Sequence, residues 1–190
     1  VEHFNNPSLT ANDAFKSVTK YFDRITRPEQ IISSLEQALQ TMLDPADCGP
    51  ACISLSQDVQ GELFDYPENF FIERTHKIRR SRPDDDQIKD AVKVIKKSKK
   101  PLIISGGGVF YSNAMLELSN FAKKHNIPVT HTVMGYSSIK KDHSHFTGVI
   151  GGLGSKAANN LAKETDLAIT IGTKLADFTT GSWANFENPN

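Results

Sequence analysis

Three short apolar runs constrain this chain most: PLIIS from Pro101, IPVTHTV from Ile127 and DLAITIG from Asp166. Each follows a stretch with helical spacing. The first follows Pro83 to Lys97, with Ile88, Ala91, Val92 and Ile95 on one face. The second follows Ala114 to His125, with Met115, Leu118, Phe121 and Ala122 turned inward. The third follows a helix that begins near Gly154 and closes through Asn159 to Lys163. Apolar runs of this length bounded by turn residues read as buried strands, and their alternation with helices specifies a parallel sheet covered on its faces. Right-handed connections make residues 83–190 an open, Rossmann-like α/β domain. Its strands end in SGGG, TVMG and IGTKLAD, and in such sheets ligands or partner domains meet the carboxyl ends.

The first part reads differently. Arg27-Pro28-Glu29 opens a helix with the apolar stripe Ile31, Ile32, Leu35, Leu39 and Met42, and the helix stops near Asp44-Pro45. ACISL is a short buried strand, followed by the polar SQDVQG. Upstream, DAFKSVTKYFDRI alternates in a helix-compatible way. Residues 62–82 lack periodicity and read as a linker, with Phe64, Tyr66, Phe70 and Phe71 pinned to a neighbour. The expected organisation is residues 1–61, the linker 62–82, and the α/β domain 83–190.

Charge excludes more than it selects. Lys+Arg and Asp+Glu both number 22, so no bulk field draws the chain to nucleic acid. KVIKKSKKP reads as a solvated helix end and HKIRRSR as a basic linker. No apolar run is long enough to cross a bilayer and no leader pattern opens the chain, so no membrane partner is expected. Cys48 and Cys52 form C-x3-C with no second pair to complete a zinc site. These features suggest a reduced, cytoplasmic protein. A first residue of Val and a last run of FENPN suggest a piece of a longer chain. Asp84, Asp85 and Asp86 suit a helix N-terminus better than a metal, and His143 and His145 supply at most two ligands. No complete acid–base set is present, so neither catalytic nor metal-ligating residues are assigned.

The glycines are the open question. Gly106 and Gly108 provide G-x-G after a strand, but Tyr111 stands where the third glycine of a dinucleotide fingerprint belongs, and no acid closes the next strand. A P-loop fails for want of Gly-Lys-Ser/Thr. Gly151, Gly152 and Gly154 precede Ser155 and a helix, where backbone N–H groups could face an anion or let a loop cross the sheet end. Gly106, Gly107, Gly108, Gly152 and Ser155 are therefore the cofactor-binding candidates.

The string ISLSQDVQ, preceded by GP, resembles the last strand of the pyrimidine-binding domain in thiamine-diphosphate enzymes of the acetolactate-synthase and pyruvate-oxidase kind, with Ser56 where proline is common. KKPLIISGGGV, HNIPVTHTVMG, DHSHFTGVIGGLGSKAAN and DLAITIGTKLAD then resemble their central domain, in order. Within the superfamily, NDAFKSVTKYFDRITRPEQI, DVQGELFDYP and KLADFTTGSWANF look like the hydrolases that open a cyclic diketone in myo-inositol catabolism. The resemblance implies thiamine diphosphate and Mg2+, a cyclic polyol diketone substrate, cleavage of a C–C bond to 5-deoxy-glucuronate, and a homo-oligomer. It also implies that an activating glutamate and a GDG…N cofactor segment lie outside the chain, which would leave the isolated piece inactive. NAD and metal binding are carried as associated expectations. Gln57, Asp177, Ser182 and Trp183 are candidates for the substrate entrance or an interface. The alternative is a self-standing nucleotide-binding or structural module of the same fold.

Overall fold

Parallel strands cannot be joined by a tight turn, so each parallel pair here brackets a longer connection. The computed structural model describes residues 5–188, and the chain divides into two units, Val1–Arg82 and Pro83–Asn190. In the first, β1 (Tyr21–Ile25) pairs with β2 (Ala51–Leu55), Tyr21 opposite Ala51, and α1 (Gln30–Leu43) makes the crossover. The helix suggested for DAFKSVTKYFDRI is corrected: a 3-10 turn spans Ala11–Ser17, and Tyr21–Ile25 is a strand. Its backbone groups find partners on β2, and that tertiary pairing overrides local spacing.

Helix α1 turns small residues inward. Ser34 and Ala38 are buried, whereas Leu35 and Met42 of the expected stripe stay exposed. Small side chains let the helix approach the strands and bring Ser34 to the carboxylate of Asp23 on β1. That carboxylate accepts from the Ser34 hydroxyl, from Gln30 Nε2 at 3.0 and 3.1 Å, and from the Arg24 N–H at 2.8 Å. Burial pushes the Asp23 carboxyl up, but the hydrogen bonds from Ser34, Gln30, Arg24 and Tyr21 together hold it below the usual carboxylate range. After β2 come the short helix α2 (Gln57–Gln60) and an aromatic cluster. Tyr66 stacks on Phe70 at 5.4 Å, meets Phe64 and Phe71 edge-on, and donates its hydroxyl to the Pro28 carbonyl at 3.1 Å.

In the second unit the strands are β3 (Pro101–Ser105), β4 (Val129–His131), β5 (Phe146–Val149) and β6 (Leu167–Ile171), all parallel in the order β5-β4-β3-β6. Helix α3 (Asp85–Lys97) precedes them, and α4 (Gly107–Tyr111), α5 (Met115–His125), α6 (Lys156–Glu164) and α7 (Asp177–Thr180) lie between or after them. β5 was not legible as a strand. It is partly exposed, and its pairing with β4 is irregular beside Gly148, whose φ is +112°. Ile103, Val109, Leu118, Ala122, Ile127, Val129 and Ile139 pack one core cluster, and Leu102, Ile104, Ile150 and Ala162 pack another. Asp84 caps α3 as expected, accepting from the N–H groups of Asp86 at 2.8 Å and Gln87 at 3.1 Å. The inward face expected of α3 is corrected, because Ile88 and Val92 are exposed and the helix has no buried residue.

Asp23→Asn should destabilise the first unit by about 1.5–3 kcal/mol at pH 7, the range for hydrogen bonds to a charged group. Because folding lowers the Asp23 pKa, its contribution is present above the unfolded value near 4 and is lost as pH falls through the folded value. Urea unfolding of parent and variant should therefore differ at pH 7 and converge at the acid end, once the folded-state carboxyl is protonated. A difference that persists unchanged into acid would show that the ionised carboxylate is not the stabilising species.

Candidate functional site

The carboxyl ends of the four strands in the second unit surround a cleft of about 510 Å³. Gly107, Gly108 and Tyr111 reach it from β3 and α4, and Thr132, Val133 and Met134 from the turn after β4. Ile150 and Leu153 reach it from the loop after β5. Gly172, Thr173 and Lys174 follow β6, and Ala176, Phe178 and Thr179 surround α7. The lining is mostly apolar, with Tyr111, Thr132, Thr173, Lys174 and Thr179 as the residues that carry polar side-chain groups. A larger groove of 660 Å³ beside α5 lies away from the strand ends and is lined mainly by exposed side chains such as Leu116, Tyr136 and Lys140. The strand-end cleft is the better candidate, since crossovers in both directions open a crevice there.

Gly107 and Gly108 line the cleft, while Gly106 is buried behind them. Their N–H groups decide what the glycines do. Gly106 N–H donates to the Ile171 carbonyl at 2.9 Å and Gly108 N–H to the Gly172 carbonyl at 2.9 Å. A Cβ on Gly108 would stand 2.6 Å from Gly172 Cα, and Gly172 itself has a φ of +58°. These glycines let the start of α4 lie directly on the chain after β6. The second cluster behaves likewise. Gly152 N–H donates to Phe178 O at 2.9 Å, Gly154 N–H to Gly151 O at 2.8 Å, and Ser155 N–H to Val149 O at 2.8 Å. Ser155 Oγ accepts from Ala158 N–H at 3.2 Å and caps α6.

The remaining candidates separate. Gln57 opens α2 in the first unit and is exposed. Asp177 opens α7, and its carbonyl accepts from Ser182 N–H at 3.1 Å and Thr180 Oγ1 at 3.3 Å. Gly181, Ser182 and Trp183 take successive positive φ values of 58°, 55° and 67°, and Trp183 is 60% exposed. The structure therefore brings Asp177, Ser182 and Trp183 into one turn. Thr132, Met134, Thr173, Lys174 and Phe178 line the cleft without having been singled out, although the strand-end rule pointed to their neighbourhood.

The description "Thiamine pyrophosphate enzyme, central domain" matches residues 88–190, more than half of the chain. The chain belongs to the thiamine pyrophosphate enzymes. Among proteins similar to it, a 3D-(3,5/4)-trihydroxycyclohexane-1,2-dione hydrolase of Clostridium perfringens is 48% identical over 189 residues, covering 100% of this chain and 30% of that protein. The hydrolase of the same name from Clostridium tetani is 49% identical over 188 residues, covering 99% and 29%. That from Geobacillus thermodenitrificans is 47% identical over 182 residues, covering 96% and 28%. The chain thus spans about 30% of the length of these curated relatives.

Membership in the thiamine pyrophosphate enzymes corrects the expectation of NAD, since the family's chemistry runs on a thiamine cofactor. The physical reason lies in the turn after β3, where a dinucleotide pyrophosphate would need the N–H groups already given to Ile171 and Gly172. The expectation of metal binding is corrected for this chain as well: among the described residues no group of three His, Cys, Asp or Glu side chains is placed to hold an ion. Nor do the residues of either glycine loop fit a diphosphate, since the N–H groups of Gly106, Gly108, Gly152, Gly154 and Ser155 already serve protein carbonyls. No helix among the described residues is long and apolar enough to cross a membrane.

Gly108→Ala should destabilise the second unit by about 3 kcal/mol or more, because backbone meets the added methyl and cannot rotate away. Gly152→Ala, whose Cβ would meet nothing closer than 4.0 Å, should stay within about 0.5 kcal/mol of the parent. Denaturant midpoints of the two variants check the contrast, and equal midpoints would contradict the packing role of Gly108.

Proposed function

We propose that this chain is the central domain, with the preceding end of the pyrimidine-binding domain, of a thiamine-diphosphate-dependent C–C hydrolase. That enzyme cleaves 3D-(3,5/4)-trihydroxycyclohexane-1,2-dione to 5-deoxy-glucuronate in myo-inositol degradation. The observation that carries the reading is identity of 47–49% to hydrolases of that name across both units of the chain. In this reading thiamine diphosphate and Mg2+ supply the carbanion chemistry. The residues present here supply a rigid sheet and a cleft rim. Gly106, Gly107, Gly108, Gly152 and Ser155 frame a vestigial pocket, a reading supported by the N–H groups that Gly106, Gly108, Gly152 and Ser155 commit to the protein's own carbonyls. Gln57, Asp177, Ser182 and Trp183 stand at the substrate entrance or at a contact between subunits of a homo-oligomer. The 190 residues alone are inactive.

The gene product carrying these residues should release 5-deoxy-glucuronate from the cyclic diketone when supplied with thiamine diphosphate and Mg2+, and should stop when the thiamine cofactor is omitted. Turnover by the 190-residue chain itself would refute its proposed inactivity. Calorimetric titration of the chain with ADP and with FAD should give no micromolar binding. Heat consistent with such binding would favour a nucleotide-binding module instead.

A further inference from the structure

Two stretches distant in sequence form one side of the cleft: the loop after β5, with Ile150 and Leu153, and α7, with Phe178 and Thr179. Helix α6 supplies a residue that hydrogen-bonds the first of these and Asn185, just beyond the second. Asn159 Oδ1 accepts the N–H of Gly151 at 3.0 Å, and Asn159 Nδ2 donates to the carbonyl of the same residue at 3.0 Å. The side-chain amide therefore grips both polar groups of a backbone unit whose φ is +105°. The same Oδ1 accepts from Asn185 Nδ2 at 3.3 Å. Asn185 is buried, and its N–H donates to the carbonyl of Thr180 at 3.2 Å. Thr180 is fully buried, and its Oγ1 accepts the N–H of Trp183 at 3.1 Å. Between these anchors Ser182 and Trp183 hold left-handed conformations that side-chain-bearing residues rarely adopt. Such conformations persist only where the surroundings over-determine them.

We propose that Asn159 is a latch that joins the glycine-rich loop 150–154 to the Trp183 turn, so that the two move as one rim of the cleft. The hydrogen bonds run without a gap from Gly151 through Asn159, Asn185 and Thr180 to Trp183. The Gly152 N–H to Phe178 carbonyl bond runs alongside. Loosening the loop therefore loosens the turn, and the coupling is reciprocal because it is a shared free energy. Asn159 is a positioning residue in this arrangement, acting on the rim through the backbone of Gly151 and the side chain of Asn185.

The test is amide exchange by NMR on the 190-residue chain, with fluorescence anisotropy of Trp183, the single tryptophan, as a second readout. Asn159→Ala should speed exchange at Gly151, Trp183 and Asn185 together by about tenfold, the scale set by losing one or two net hydrogen bonds. It should also lower the anisotropy of the indole. Asn185→Ala should speed exchange at Gly151, although the substituted residue makes no bond to Gly151. Asn160→Ala, at the exposed neighbouring position, should change none of these signals. Faster exchange confined to Gly151 in Asn159→Ala, with Trp183 at its parental rate and anisotropy, would overturn the latch. Should Asn159→Ala fail to fold, Asn185→Ala decides alone, and parental exchange at Gly151 in that variant would overturn it equally.

Discussion

The cleft depends on a contact between two pieces of backbone. Gly108, at the first turn of α4, donates its N–H to Gly172 after β6, and the two residues lie too close for either to carry a side chain. That approach follows from strand order. The chain proceeds from β3 outward through β4 to β5, then returns to place β6 on the other side of β3. The turn into α4 and the chain after β6 therefore leave adjacent strands at the same end of the sheet and meet there, and the crevice opens beside that contact. Without the glycine contact, α4 would stand away from β6 and the floor of the crevice would have no fixed position.

The same contact explains why glycine clustering misleads when read for ligands. Sequence shows where the backbone is free of Cβ constraint, but not where its N–H groups point. At Gly106, Gly108 and Gly152 those N–H groups meet carbonyls of neighbouring segments, and at Gly154 and Ser155 they meet carbonyls of their own loop and of the end of β5. A phosphate cradle needs them convergent and unpaired. Here they bind strand ends to one another. In this chain the glycines build the rim of a pocket.

What was legible followed from periodicity. β3 and β4 stand out as apolar runs because their residues are almost all buried, β6 stands out by its run of Leu167, Ala168, Ile169 and Ile171 although it is only half-buried, and α5 shows its face through Leu118 and Ala122. β1 and β5 escaped because YFDRI carries Asp23 and Arg24 and FTGV carries Gly148, so neither reads as an apolar run, and backbone pairing defines them. α1 was visible, but its inward face was not: the packing surface is Ser34 and Ala38, chosen by the Asp23 carboxylate across from it. The cleft residues after β4 and β6 were located only to the nearest strand end. Asn159 gave no signal at all, because an asparagine in KAANNLAKE reads as part of a solvated helix face.

Asn159 also shows how a strained turn can be maintained without a hydrophobic core of its own. Ser182 and Trp183 at positive φ each carry a cost of order ~1–3 kcal/mol. The exposed indole recovers little of that through its tilted contact with Phe186 at 6.1 Å. The compensation lies beneath the turn, in buried polar groups satisfied only in this geometry: Thr180 between Asp177 and Trp183, and Asn185 between Thr180 and Asn159. Straightening the turn would leave those groups buried without partners, at a cost of about 1–3 kcal/mol each, which matches or exceeds the strain released. The turn is therefore fixed by what relaxation would orphan. Its orientation is consequently set by the α6 side of the sheet rather than by its own sequence.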